Sequence, residues 1–320
     1  MDGKGIYLSI LFVLMLTSCS DEKNALKPQS GGRPYEVIVE EDRDSIIYKA
    51  LTEDMEGLPQ AEHSFDVSMV YDKKYPSAAR LARNIVRVNI DSNAYTLPQI
   101  RYEKDVAATP QIRIHVNAPS VQALQKSVTR IAPSLRQLLV RSEMNVAIKG
   151  LKAHHNAKAQ KEVEKMFGMQ IWIPEALTSC KKGKNFIWLS NNSAQGMANI
   201  CVYSYNALRL DAKELIEKRD SIMRLNVPGE EPDMYMQTVE KSVKPRFIKE
   251  RSSVVLTARG LWEMKNDMMG GPFVAHAIVD SIKKRVVVAE AFVFAPESKK
   301  RNKIRQLEAS LYTLKRLRKL

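Results

Sequence analysis

Arg285-Val286-Val287-Val288-Ala289-Glu290-Ala291-Phe292-Val293-Phe294 reads as a buried β-strand. Branched and aromatic residues dominate it, and Glu290 is the one ionisable side chain between Val286 and Phe294. Upstream, Ser253 to Met264 and Pro272 to Asp280 have the same character, so three consecutive antiparallel strands are predicted. A turn over Ser281 to Lys284 would set Glu290 opposite Ala275, and alternation puts it on one face with Val288 and Phe292. Downstream, a helix from about Pro296 to Leu317 carries Ile304, Leu307, Leu311 and Leu314 on one stripe, which would cover a face of that sheet.

The rest of the chain extends this pattern. Tyr35 to Val39 alternates and leads into a helical stretch, Asp44 to Met55. Phe65 to Val70, Ile85 to Ile90, Gln99 to Val106 and Gln111 to Val116 read as strands. Pro119 to Met166 is predicted mostly helical, with Val121, Leu124, Val128 and Ile131 on one face and breaks near Pro133 and Gly150. Ile171 to Ile173, Phe186 to Ser190 and Asn199 to Tyr205 are strands again, and Asp211 with Glu214 starts a capped helix that ends near Leu225. The expected architecture is α+β, antiparallel sheets with helices packed on one face. Trp188, Asn192 and Gly196 recur as Trp262, Asn266 and Gly270, each 74 residues later, which leaves open two related halves or a chance echo.

The N-terminus has a different character. Lys4 precedes an apolar run from Ile6 to Leu16, followed by Leu16-Thr17-Ser18-Cys19. A charged start, a short apolar core and small residues before a cut mark a secretory signal peptide, and the run is too short for a good permanent membrane span. The tetrapeptide ending in Cys19 resembles the bacterial lipobox, which implies cleavage before Cys19 and its lipidation. Two acyl chains then anchor stably where one would not. The expected organisation is a lipoprotein signal peptide at 1–18, a flexible tether at 19–34, an N-terminal α+β region at 35–227, and a C-terminal antiparallel sheet with a basic amphipathic helix at 228–320. Val227-Pro228-Gly229-Glu230-Glu231-Pro232 supplies the boundary. Ser20-Asp21-Glu22 resembles an acidic signal that sends some lipoproteins to the cell surface; a solvated linker with two acids reads equally well.

A chain of 320 residues that is 44% hydrophobic and 27% charged can bury a real core, which excludes wholesale disorder. Its formal net charge of +14 favours anionic partners, an envelope polymer or an envelope protein, or serves solubility alone. Nucleic acid is not expected as the partner of an exported protein. Between Ser298 and Leu320 stand nine Lys or Arg and one Glu. Such a helix either lies on an anionic membrane or packs its leucines inward with a solvated basic back. Lys315, Arg316, Arg318 and Lys319 cluster at its end. Cys180 and Cys201 are left as a bridge or two free thiols, and hairpin pairing would put Cys201 opposite Trp188 rather than Cys180. His154 and His155 are adjacent, a spacing that points the rings about 100° apart on a helix. With HExxH, CxxC and GxSxG all missing, neither a metal nor a cofactor is expected.

Several stretches carry a family resemblance. They are Tyr235-Met236-Gln237-Thr238, Arg259-Gly260-Leu261-Trp262, Lys265-Asn266-Asp267, Met269-Gly270-Gly271-Pro272-Phe273, Ala295-Pro296-Glu297 and Leu307-Glu308-Ala309. Together they resemble a Bacteroidetes lipoprotein family catalogued only as a domain of unknown function. The resemblance implies an exported lipoprotein and brings no activity, cofactor or catalytic residue with it.

Two places remain as candidate chemistry. Glu290, on an apolar strand face, must find a partner or take up a proton. It is either a general acid or one half of a salt bridge, with Arg259 as the expected partner, or it sits at a wet edge. The turn from Asn266 to Gly271 carries Asp267 and the glycines Gly270 and Gly271, so it is either a ligand-binding loop or a tight connection. The expected function is that of a membrane-anchored envelope lipoprotein, in the outer membrane, serving as a non-enzymatic binding or assembly module. The alternative is a hydrolase acting on an envelope polymer through Glu290 or Asp267.

Overall fold

Branched and aromatic residues segregate into two main sheets, joined at residues 154–156, with a small two-stranded sheet beside the second. The computed structural model describes residues 27–71, 77–193, 196–250 and 253–317. Cys19, Ser20-Asp21-Glu22, Arg318 and Lys319 lie outside the described residues. The mixed α+β class expected from the sequence is the one adopted, in two sheet-rich halves.

The first half holds β1 (Glu36–Glu40), α1 (Ile46–Leu51), β2 (Asp66–Val70), β3 (Asn84–Ile90), β4 (Gln99–Lys104), β5 (Ile112–Ala118) and α2 (Val121–Ala153). The sheet order is β2-β1-β3-β5-β4. Only β4 pairs antiparallel; β1–β2, β1–β3 and β3–β5 are parallel. The expectation of antiparallel sheets therefore does not extend to this one. Parallel neighbours need a crossover, and α1 supplies it between β1 and β2. Val37, Val39, Val86, Val88, Ile114 and Val116 pack under Ile47, Leu51, Leu124, Ile131, Leu135 and Leu139. Burial of that face carries α2 straight through Pro133 and Gly150, where breaks were expected. Proline costs the helix one hydrogen bond, but tertiary packing holds the turns on either side.

Residues 28–31 are not free as a tether would be. Gln29 bridges to Thr109 and Gly31 to Ala82, with Gly31 N–H donating to Leu81 O at 2.9 Å.

The second half holds α3 (Ala157–Phe167), β6 (Met169–Gln170), β7 (Ser179–Gly183), β8 (Phe186–Ser190), β9 (Met197–Asn206), α4 (Ala212–Asn226), β10 (Met236–Glu250), β11 (Ser253–Met264), β12 (Gly270–Asp280), β13 (Arg285–Phe294), α5 (Arg301–Leu311) and β14 (Lys315–Arg316). Seven strands form an antiparallel sheet in the order β10-β11-β12-β13-β9-β8-β7. Ala275 stands opposite Glu290 and Trp188 opposite Cys201, as the alternation predicted. This sheet spans the breaker at Val227–Pro232, so residues on both sides of the expected boundary share one layer. The architectural joint lies between α2 and α3. The 74-residue echo is local: Asn192 and Asn266 both have positive φ, but β9 leads directly into α4 whereas β12 leads into another strand.

β13 is central and apolar on both faces, so both faces need cover. Val287, Ala289, Ala291 and Val293 pack against α3 and α5, and Val286, Val288 and Phe292 lie on the face with Leu215 and Met223 of α4. Helices thus cover both faces of this sheet rather than one. β10 was not anticipated. A register shift between Val239 and Lys244, and Pro245 at the sheet edge, break its alternation.

α5 ties the halves together. Ile304, Leu307 and Leu311 face the second sheet as expected, while Arg301 and Arg305 are buried rather than solvated; the helix ends at Leu311, short of the expected Leu317, and Lys315 and Arg316 lie exposed on β14. Arg301 bonds Asp66 Oδ2 at 2.6 Å and His63 O at 2.7 Å, and Arg305 donates to Ser64 O at 2.6 Å. Glu62, from the first half, caps the helix by accepting from the N–H groups of Lys300 and Arg301 at 2.7 and 3.0 Å. The start of the helix thus meets carboxylates and carbonyls in the loop from Glu62 to Asp66.

Candidate functional site

Glu290 is completely buried and fully engaged. Arg219 of α4, also completely buried, donates from Nε to both carboxylate oxygens at 3.0 and 3.1 Å and from Nη2 to Oε1 at 2.8 Å. The Tyr203 hydroxyl donates to Oε2 at 3.1 Å. Arg219 Nη1 reaches Thr238 Oγ1 at 2.8 Å and Asp220 Oδ1 at 3.0 Å, and the guanidinium lies 4.1 Å from the centre of the Phe273 ring. Burial pushes the Glu290 carboxyl up, with Arg219 pulling against it. Burial also opposes charge on Arg219, but Glu290 outweighs it and holds the guanidinium above its ordinary value. The salt-bridge reading of Glu290 is therefore correct in kind and wrong in partner. Arg259 points to the other face of the sheet. A carboxylate with both oxygens engaged and no exposure has no lone pair to offer a substrate.

Arg259 instead pairs with Glu308 of α5, and His276 Nε2 lies 3.9 Å from the same carboxylate. Burial would raise Glu308, but Arg259 leads the groups that outweigh it and hold the carboxyl at about 2. The ring of His276 stacks edge-on to Tyr312 at 4.6 Å, and its two nitrogens have no hydrogen-bond partner among the described residues.

The turn after β11 separates the remaining candidates. Asn266 adopts positive φ and donates to Asp233 Oδ2 at 2.7 Å, and Asp267 accepts from the Met268 N–H at 2.5 Å. Both line a shallow surface depression with a completely exposed Met268. Gly270 and Gly271 lie outside it. A Cβ on Gly271 would stand 2.0 Å from Val293 O, and one on Gly270 2.9 Å from Trp262 O. These glycines let β12 pass close to its neighbours, and Trp262 Nε1 donates to Val293 O at 3.3 Å across the same contact. The fold does not bring Asp267 to Glu290, which is buried on the α4 face of the sheet.

A more enclosed concavity, about 490 Å³, opens where the two halves meet. Glu53, Asp54, Glu56 and Gly57 come from the segment after α1, Arg136 from α2, Lys244 and Arg246 from β10, Arg259 from β11 and Arg305 from α5. Arg136 is held by Glu53 at 2.7 Å and Ala50 O at 2.8 Å. None of these residues was singled out from the sequence as a site, because the cleft joins segments about 80 to 250 positions apart. Cys180 and Cys201 are free thiols, one exposed and one buried, on separate strands. Among the described residues no three His, Cys, Asp or Glu side chains gather as a metal set.

Residues 156–313 match the family described as "Domain of unknown function (DUF4837)", and residues 30–152 match "Domain of unknown function (DUF8532)". The two matches meet where the two sheets do. No curated protein matches the chain. Among solved structures the chain is similar to a mutant of the protein Mog1, with 11% identity and a TM-score of 0.29, over 47% of this chain and 90% of that one. It is similar by the same figures to the Saccharomyces cerevisiae Ran-binding protein Mog1p. That likeness is too slight to bear on fold or function.

Proposed function

We propose that the chain is an outer-membrane lipoprotein of a Bacteroidetes-type envelope, anchored through Cys19, that works as a non-enzymatic binding module for an envelope partner. The observation that carries this reading is the cleft between the halves. Its walls come from both sheets, it is of ligand size, and α5 fixes its two sides relative to each other. Glu290, offered by the sequence as an acid, is committed to Arg219 and Tyr203. The charge of +14 and the basic side chains in the cleft suit an anionic partner.

Cys19→Ala is expected to abolish labelling by a fatty-acid analogue and release the protein from the membrane fraction. Crosslinking in intact cells should then capture an envelope component with the wild-type chain and much less of it with the variant. Equal label in both, or equal capture from a soluble and an anchored chain, would contradict the anchored reading.

A further inference from the structure

The cleft holds two cations that its own carboxylates do not neutralise. Arg136 is paired with Glu53, Arg259 with Glu308, and Arg246 lies 3.9 Å from Glu56. Arg305 is different. It is only 6% exposed, its Nη1 donates to the Ser64 carbonyl, and its guanidinium lies 4.3 Å from the Tyr35 ring centre and 5.4 Å from that of Phe65. Among the described residues no carboxylate lies within ion-pair distance of it. Lys244, exposed on β10 at the rim, likewise has no carboxylate partner among the described residues. Burial, reinforced by the nearby charges of Arg259 and Arg301 and only partly offset by the more distant Glu308 carboxylate, lowers the Arg305 guanidinium to about 10. A buried arginine without an anion is costly, and an oxyanion supplied by a ligand would remove that cost.

We propose that this cleft binds a phosphate monoester carried on a hydroxylated body, with Arg305 at its base and Lys244 at its rim holding the phosphate. The proposal rests on the binding-module reading and names the chemistry of its ligand. Two unneutralised cations match the charge of a phosphate monoester, about −1.5 to −2 near neutral pH, better than that of a single carboxylate. A planar guanidinium presents two N–H groups to one phosphate, and a lysine adds a mobile point charge. The volume of about 490 Å³ leaves room beyond the phosphate for a sugar ring. Glu53, Asp54 and Glu56 line the same cleft and can accept hydrogen bonds from its hydroxyls. Such a group occurs on soluble sugar phosphates and on phosphorylated lipid headgroups.

The test uses the full-length chain in a non-ionic detergent. Its melting temperature and calorimetric affinity are followed with glucose 1-phosphate, with glucose in sodium chloride of matched ionic strength, with glucuronate, and with micelles doped with phosphatidylinositol 4-phosphate. Glucose 1-phosphate or phosphatidylinositol 4-phosphate should raise the melting temperature where glucose does not. The tighter of the two identifies a soluble or a lipid source. Lys244→Ala, an exposed change that leaves the core intact, should weaken that binding by about tenfold. Arg305→Lys keeps the charge but loses the planar donors, and should weaken it by at least as much. Undiminished affinity in Lys244→Ala, or no response to either phosphate, would overturn the proposal. Binding of glucuronate as tight as that of glucose 1-phosphate, and dependent on Lys244, would overturn the phosphate assignment while leaving the binding module standing.

Discussion

Glu290→Gln is expected to lower the stability of the chain by about 3–5 kcal/mol, a large share of what a domain has. Glutamine keeps the shape of the side chain but presents an amide that cannot compensate Arg219. The guanidinium, itself without exposure, is left with Asp220 at 3.0 Å as its remaining carboxylate. The cost lies in the uncompensated charge rather than in the worth of the bond, so a second variant separates the two. Arg219→Met with Glu290→Gln removes both charges and should recover much of the loss. Denaturant unfolding of the two variants against wild type is the measurement. A midpoint for Glu290→Gln within error of wild type would mean that Glu290 is held neutral, and would reopen its reading as an acid.

The second large effect depends on pH. Glu308 is buried, and its carboxyl is held at about 2 despite burial, chiefly by Arg259 and then by His276. A folded value below the unfolded one of about 4.5 means stability that is fully present above pH 4.5. It is lost as the pH falls from there toward 2. A shift of that size corresponds to something on the order of 3 kcal/mol. Glu308→Gln should therefore be less stable at neutral pH and should lose less than wild type between pH 4.5 and 2. Unfolding midpoints measured at intervals across that window decide it, and parallel curves for variant and wild type would contradict the assignment. The same substitution loosens α5 from β11, so the effect should also appear as faster amide exchange in α5.

Much of the second half was legible because strand alternation is a strong signal where both partners are regular. Glu290 opposite Ala275 and Cys201 opposite Trp188 followed from turn position alone. The partner of Glu290 left a sequence mark as well. Leu215, Arg219 and Met223 recur at four-residue spacing, which puts a cation in the middle of the apolar stripe of α4. Glu290 between Val288 and Phe292 is the same anomaly on a strand, with the opposite sign. Two buried charges of opposite sign on facing apolar surfaces imply each other. Arg259, which the sequence offered as that partner, stands in a distinctive motif and pairs with Glu308 instead. Several residues of that motif make contacts within the fold: Arg259 binds Glu308, Trp262 binds Val293 O, and Gly260 and Gly271 accommodate close neighbours.

What was not legible is the way the halves meet. The basic face of α5 looked solvated because its partners, Glu62, His63, Ser64 and Asp66, lie more than 230 positions earlier. A local pattern gives a face but not what covers it. The same holds for the first sheet: the helix between its first two strands was legible, but not that β1 pairs parallel with both β2 and β3. The strong breaker at Val227–Pro232 marks a loop between α4 and β10 rather than a joint, since composition reports backbone irregularity and not which strands will pair.

The most direct test compares two surfaces of the intact protein in living cells. A benzophenone amino acid replaces either Arg246, at the rim of the cleft, or Met268, at the tip of the exposed turn. Light-induced adducts to an envelope component are predicted from position 246 and not from 268, and they should diminish when Lys244→Ala is added. Adducts from position 268 with none from 246 would contradict binding at the cleft and place it at the Asn266–Met268 turn.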